Sequence, residues 1–247
     1  MIAIVVSTYD EAENLPILVS GVCQAMDGQP YRIIVVDDNS PDGTAQVAQE
    51  LSKQYPVTLV LRPCKLGLGS AVLAGLAEAL SDPQCQQVVT MDADLSHDPA
   101  ELRRLLEASR GVDLVQGSKH ITGSSVHGFG PFRRFLSWGA NLLLRVALRS
   151  PMKDNTGSYR VYSRRMAELI LREGLPKDYE YAPFAVLLAL ENGMALREVP
   201  ITFADRRRGK SKVTARIIFR SLAYAFRIGL RRTFGRRSAP SRRARSA

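Results

Sequence analysis

The chain has 247 residues, 45% of them hydrophobic and 23% charged. This composition fits one α/β domain with an appendage and excludes disordered and collagen-like classes; three scattered cysteines, Cys23, Cys64 and Cys85, form neither a disulfide framework nor a zinc knuckle. The formal net charge of +10 is unevenly spread: all 24 acidic residues lie at or before Asp205, whereas 15 of the 34 Lys and Arg lie from Arg206 onward, so a mildly acidic body precedes a basic end suited to an anionic surface.

The opening MIAIVVSTYDE lacks the basic region and small-residue cleavage site of a signal peptide, and the cysteine usage fits a reducing cytosol. No run of about 18 uncharged apolar residues occurs, so a spanning helix is not expected. Short β-branched apolar runs predict strands at 2–6, 32–36, 57–61, 87–91 and 113–117. Between them helices are expected near 15–25, 44–55, 70–80 and 99–109. The last is announced by Asp98-Pro99-Ala100-Glu101, an N-cap, a proline at the first helical position and a capping-box acid. Alternation of this kind implies a mostly parallel sheet flanked by helices.

The second half is less regular. Residues 132–148 read as an unusually apolar helix, with Trp138, Leu142, Leu143, Leu144, Val146 and Leu148 interrupted by Arg145 and Arg149. Further helices are expected at 163–172 and 183–191, and one strand at 195–203. Residues 215–234 form a helix candidate in which Arg216, Arg220, Arg227 and Arg231 fall within about 60° of arc and apolar residues fill the remainder. The expected organisation is an α/β domain at 1–213, a basic amphipathic helix at 214–235 and a disordered basic tail at 236–247.

Acidic residues stand where the strands stop. Strand one runs into Ser7-Thr8-Tyr9-Asp10-Glu11, strand two into Asp37-Asp38, and strand four into Asp92-Ala93-Asp94. Ligands of doubly wound sheets bind beyond the carboxyl ends of the strands. Three acidic strand ends there would repel a bare polyphosphate. They become useful if a divalent cation bridges Asp92 and Asp94 to phosphates, or if the acids accept hydrogen bonds from a base and a ribose. Taken singly, Asp-x-Asp occurs by chance and Asp37–Gly43 is turn chemistry; it is the joint placement that points to function. Other phosphate devices fail: Gly209-Lys210-Ser211 lacks the leading glycine of a P-loop, with Ala204 in its place, and Gly67-Leu68-Gly69 continues to Val72 instead of a third glycine. His97, His120 and His127 show no metalloprotease spacing, and no nucleophile elbow is present.

Residues 5–14 (VVSTYDEAEN), 35–44 (VVDDNSPDGT), 65–71 (KLGLGSA) and 91–99 (MDADLSHDP) together resemble the family 2 glycosyltransferases of the GT-A (Rossmann-like) fold. Among these they are most similar to polyprenyl-phosphate mannose synthases, and residues 154–160 (DNTGSYR) and 205–212 (DRRRGKSK) extend the similarity to about Val213. The resemblance implies that Ser7, Tyr9 and Glu11 line the nucleotide pocket and that Val36 and Asp38 hold the base or ribose. It implies that Asp92 and Asp94, joined by Ala93, hold Mg²⁺ or Mn²⁺ on the donor diphosphate with Ser96 at a third position. Lys119, Arg133 or Arg134, Arg206 and Lys212 would meet the phosphates of donor and acceptor, which makes Asp92, Asp94, Arg206 and Lys212 the expected catalytic set. The chain departs from the family at Ser7, where a proline is usual, at Ser96 in place of a glutamine, at Lys119 in place of an arginine, and at Pro183-Phe184, where a glutamate is common.

The activity implied is inverting transfer of mannose from GDP-mannose to a polyprenyl phosphate. Transfer of another sugar, such as glucose from UDP-glucose, and a non-catalytic nucleotide- or lipid-binding role remain as alternatives. A polyprenyl monophosphate is already anionic, so no general base is required, in keeping with the lack of a conspicuous His or Cys. The basic helix has two readings, a solvated face on a core-packed helix or a helix in the membrane interface; a lipid acceptor favours the latter, at the cytoplasmic face, with residues 132–148 either joining it or packing as an ordinary core helix. A small membrane-anchoring partner is compatible with this, and nucleic acid is not expected as a partner.

Overall fold

The computed structural model describes residues 1–205; the helix expected at 214–235, the tail at 236–247, and Arg206 and Lys212 lie outside the described residues. The first half alternates β1 (Ile2–Thr8), α1 (Leu15–Ala25), β2 (Tyr31–Asp37), α2 (Thr44–Leu51), β3 (Val57–Leu61), α3 (Leu68–Leu80) and β4 (Gln87–Asp92). A 3₁₀ turn, Pro99–Glu101, leads into α4 (Leu102–Ala108), and β5 (Leu114–Ser118) follows. Then come β6 (Ser125–His127), α5 (Pro131–Leu148), β7 (Arg160–Ser163), α6 (Arg164–Glu173), α7 (Tyr181–Glu191), β8 (Leu196–Pro200) and β9 (Thr202–Ala204).

Seven strands form one sheet in the order β3-β2-β1-β4-β7-β5-β8, all parallel except β7, which runs antiparallel to both β4 and β5. A small parallel pair, β6 with β9, stands apart. Successive residues of a strand point to opposite faces, and the core divides accordingly. Ala3, Val5, Ile34, Val36 and Val88 pack under α3, α6 and α7, whereas Ile4, Val6, Ile33, Val35 and Val89 pack under α1 and α4. The N-cap expected at Asp98 forms, with its Oδ1 accepting from the Ala100 N–H at 2.9 Å.

Two expectations change, and two strands were not foreseen. The single strand expected at 195–203 is two, because Pro200 has no N–H to continue a ladder; β8 pairs with β5 and β9 with β6. Strands β6 and β7 were not marked by any long apolar run, being three and four residues in length. The 44–55 helix stops at Leu51 and turns instead through residues 52–55.

Helix α3 comes close to β1 because Gly75 has no side chain: a Cβ there would lie 2.2 Å from Val5 Cγ1 and 3.2 Å from Val36 Cγ2. Gly75→Ala is therefore expected to overpack the core and destabilise the protein by about 1–3 kcal/mol. Urea denaturation checks this, and an unchanged midpoint would contradict the contact.

Candidate active site

In the order β3-β2-β1-β4, winding reverses between β1 and β4, and the crevice beyond their carboxyl ends is where such sheets bind ligands. Register places Ser7 opposite both Val36 and Asp92, and Thr8 opposite Asp37, so the acidic strand ends share one rim. Each is followed by a non-glycine residue in the left-handed region: Asp10 (φ 57°), Asn39 (φ 55°) and Leu95 (φ 61°).

On the β1–β2 side, Asp37 is wholly buried and accepts hydrogen bonds from Thr8 Oγ1 (2.8 Å), Ser40 Oγ (2.5 Å) and the Ser40 N–H (2.9 Å). Asp38 forms a buried ion pair with Arg62, whose Nε donates to Oδ1 at 2.5 Å; Arg62 also donates to Ser70 Oγ at 2.6 Å and to the Gly67 carbonyl at 3.3 Å. The glycines of the KLGLGSA segment thus serve packing. A Cβ on Gly69 would lie 2.0 Å from the Pro176 carbonyl oxygen and 2.8 Å from Tyr181 Cβ. The loops after β1 and β2 are tied together by N–H groups of Asp10, Glu11 and Ala12, which donate to Ser40 Oγ, Thr44 Oγ1 and Asp42 Oδ2. Burial pushes the Asp42 carboxyl up, but bonds from Thr44 and Ala12 outweigh it and leave the group below its ordinary range. Lys65 Nζ lies 3.9 Å from the centre of the Tyr9 ring. Ser7, Tyr9 and Glu11 are half-buried on this side. Val36 does not line the crevice with its side chain, which is wholly buried against α3.

On the β4 side, Asp92 keeps 31% of its side chain exposed while Asp94 is buried. Ser158 Oγ donates to Asp92 Oδ2 at 2.8 Å. The buried His97 accepts the Asp92 N–H on Nδ1 at 3.1 Å, which puts its proton on Nε2, 3.9 Å from Asp92 Oδ2. Burial depresses the His97 pKa, against the opposing pull of Asp92 and Asp94, and the ring stacks on Tyr159 with centroids 4.8 Å apart. Leu95 turns the chain so that the Ser96 N–H donates to Asp94 Oδ1 at 3.1 Å. Ser96 Oγ is buried without a hydrogen-bond partner. No cluster of three or more His, Cys, Asp or Glu suited to a metal occurs among the described residues. Two carboxylates and an unpartnered hydroxyl nevertheless fit a hard cation whose other ligands arrive with a diphosphate.

A cavity of about 480 Å³ opens over Asp92, Asp94 and Ser96, with Phe132, Leu136 and Leu144 of α5, Phe129 and Phe203 along its walls and Lys119, Arg133 and Tyr181 also lining it. The two cations are already engaged. Lys119 Nζ lies 3.2 Å from Oδ2 of the wholly buried Asp154. Arg133 Nη1 donates to Asp205 Oδ2 at 2.7 Å, and its guanidinium lies 3.9 Å from the centre of the Phe129 ring. Arg134 donates to the Val126 carbonyl instead of facing the cavity. Asp154 also accepts from the N–H groups of Lys119, Thr156 and Gly157, and so shapes the loop that delivers Ser158 to Asp92. Arg160 is fully buried below, donating to Gln116 Oε1 (2.6 Å) and to the carbonyls of Ala182 (2.7 Å) and Asn155 (3.3 Å).

The structure therefore brings Asp92, Asp94, Ser96, Lys119 and Arg133 to one cavity and Ser7, Tyr9, Glu11 and Asp38 to the neighbouring β1–β2 side. Ala93 is buried in the core below, and Arg206 and Lys212 lie outside the described residues. The roles of His97, Ser158, Asp154, Arg62 and Tyr181 were not legible from residue type and spacing. Of these, His97 falls in the 91–99 segment and Asp154 and Ser158 in the 154–160 segment that carry the family likeness, whereas Tyr181 had no sequence signal.

The sequence model described as Glycosyl transferase family 2 matches residues 3–171. A Dolichol-phosphate mannosyltransferase of Pyrococcus furiosus is 35% identical over 235 residues, covering 92% of this chain and 63% of that protein; the chain thus spans less than two thirds of that relative. A Polyprenol monophosphomannose synthase of Mycolicibacterium smegmatis is 41% identical over 216 residues, covering 85% of this chain and 80% of that protein. Among solved structures, glucosyl-3-phosphoglycerate synthase from Mycobacterium tuberculosis in complex with Mn²⁺, UDP-glucose and phosphoglyceric acid shares the fold, with a TM-score of 0.66 at 18% identity over 93% of this chain and 79% of that one. The chain belongs to glycosyltransferase family 2.

Burial alone would raise the Asp154 pKa, but Lys119, His120 and the backbone N–H groups outweigh it and hold the carboxyl far below its usual range. Its stabilising effect is therefore complete above the unfolded-state pKa of about 3.9 and lost as pH falls below that value toward the folded-state pKa. Asp154→Asn should cost about 3–5 kcal/mol at pH 7 by leaving Lys119 unpaired. The gap to wild type should narrow below about pH 4. Denaturant titrations across this range check both, and a gap independent of pH would contradict the ion pair.

Proposed function

We propose that this family 2 glycosyltransferase moves mannose from GDP-mannose to a polyprenyl phosphate, with inversion at the anomeric carbon, at the cytoplasmic face of a membrane. The observation that carries the reading is the amphipathic cavity: carboxylates and a bare hydroxyl at its floor, aromatic and aliphatic side chains of α5 along its wall. A donor diphosphate suits the first and a lipid chain the second. The names of the two relatives support the same pairing of sugar and acceptor.

In this reading Asp92, Asp94 and Ser96 would hold the divalent cation, Mg²⁺ or Mn²⁺. Bound there, it would neutralise charge on the departing nucleoside diphosphate. Ser158 donates to the Asp92 carboxylate and His97 accepts the Asp92 backbone N–H, so the charge is oriented before substrate arrives. The acceptor oxygen is anionic without help, which leaves positioning and charge as the remaining tasks. Lys119 and Arg133 flank the cavity, and an acceptor phosphate there would share them with their partners Asp154 and Asp205, while the apolar wall keeps water from the reacting face.

Helix α5 is inverted relative to an ordinary surface helix. Its core-facing side carries Asn141, Leu144 and Leu148, while Phe132, Phe135, Trp138, Leu142, Leu143 and Val146 are exposed over about 140° of arc. Arg134 and Arg145 border that stripe. An exposed apolar face edged by arginines fits the headgroup region of a bilayer, with the acceptor's phosphate held at the depth of the cavity mouth. No described helix is long and apolar enough to cross a membrane.

Two measurements test this. Asp94→Ala should reduce metal-dependent labelling of a lipid extract from GDP-mannose by about 10²–10³-fold; labelling from UDP-glucose alone, or undiminished turnover, would refute the donor or the cation assignment. Phe135 and Trp138 are 68% and 55% exposed, so Phe135→Glu/Trp138→Glu should leave the fold intact and strongly weaken co-sedimentation with vesicles at high salt, where attraction of the basic end to headgroups is screened. Retained sedimentation would remove α5 from the membrane contact.

A further inference from the structure

Two buried oxygen atoms of cavity-lining residues have no hydrogen-bond partner: Ser96 Oγ and Tyr181 Oη. A buried polar atom left unsatisfied costs free energy, and its survival in a residue that lines a functional cavity asks for a partner supplied from outside. The proposed cation accounts for Ser96. Nothing in the metal assignment or in the binding of a base accounts for Tyr181.

Tyr181 is held firmly. It opens α7, is 1% exposed, and its Cβ sits where only a glycine at position 69 can face it. The next residue is anchored by Arg160, which donates to the Ala182 carbonyl at 2.7 Å. Burial, with the nearby Tyr162 and Asp92, keeps the phenol protonated far into alkali against the opposing charge of Arg160, so the group is a neutral donor. The cavity that Tyr181 lines includes Asp92, Asp94, Ser158 and Pro183 but none of Ser7, Tyr9 or Asp38. Its neighbourhood is thus the part of a bound donor beyond the nucleoside.

We infer that the Tyr181 hydroxyl donates a hydrogen bond to an oxygen of the glycosyl portion of the sugar nucleotide, making Tyr181 a binding and specificity residue for the transferred sugar. This rests on the donor assignment above and adds to it a residue that reads the sugar and ignores the nucleotide. A site built to hydrogen-bond a substrate oxygen discriminates strongly against ligands lacking it, because its own polar group is then stranded.

Tyr181→Phe removes one oxygen and leaves the ring. Calorimetric titration with Mn²⁺ present should give a GDP affinity within about twofold of wild type, and a GDP-mannose affinity about tenfold weaker. The ligand-free variant should be at least as heat-stable as wild type, since a stranded hydroxyl has been removed; a purely structural role for the hydroxyl would move stability the other way. Equal GDP-mannose affinity in the two proteins, or a parallel loss for GDP and GDP-mannose, would overturn the inference while leaving the donor assignment intact. Wild-type protein that binds GDP but gains nothing from the mannosyl group, or binds neither, overturns both.

Discussion

Like charges gathered at one rim of a parallel sheet repel one another, and the way each carboxylate is satisfied sorts them by role. Asp37 is absorbed by two hydroxyls and an N–H, and Asp38 by the Arg62 guanidinium. Asp154, also wholly buried, is matched by Lys119. These groups build the rim. Asp92 is different: it is partly exposed, takes a hydroxyl from Ser158, and lies beside a histidine that burial keeps neutral. Holding a charge with neutral donors keeps it in place without cancelling its field, which is what a cation-assisted reaction requires of a carboxylate.

The same rim carries backbone strain. Asp10, Asn39 and Leu95, each just past a strand end, occupy left-handed conformations that cost about 1–3 kcal/mol apiece for residues with side chains. They persist because neighbouring bonds over-determine them. The Asp10 N–H donates to Ser40 Oγ, Asn39 Nδ2 to the Pro63 carbonyl, and Leu95 lies inside the turn closed from Ser96 to Asp94. The turn at Leu95 has a direct effect on the site, since it folds Ser96 back beneath the two carboxylates.

Opposite this rigid edge stands α5, whose polar contacts face inward. Asn141 accepts the Asn155 N–H and approaches both His120 and Thr156, so the helix is pinned to the loop that Asp154 organises. Its outward side is left to apolar residues that water does not favour. One helix thus joins the apolar wall of the cavity to the loop bearing Ser158, and through Ser158 to Asp92.

Local physics made much of this legible in the amino-acid sequence. Alternating apolar runs, the Asp98 cap and the acidic strand ends specify the βαβ half, because buried strands and capped helices are patterned over a few residues. The Asp-Ala-Asp segment and its neighbours carry the family likeness for the same reason. Tertiary structure decided the rest. The short antiparallel β7 lies between β4 and β5, Val36 turns inward, and Lys119 and Arg133 spend their charge on Asp154 and Asp205. The Tyr181 hydroxyl is buried without a partner, and α5 wears its greasy face outward. Those outcomes depend on which residues, far apart in the chain, meet once the sheet is assembled, and a periodicity that reports only how hydrophobic a helix is cannot say which of its sides the core will take.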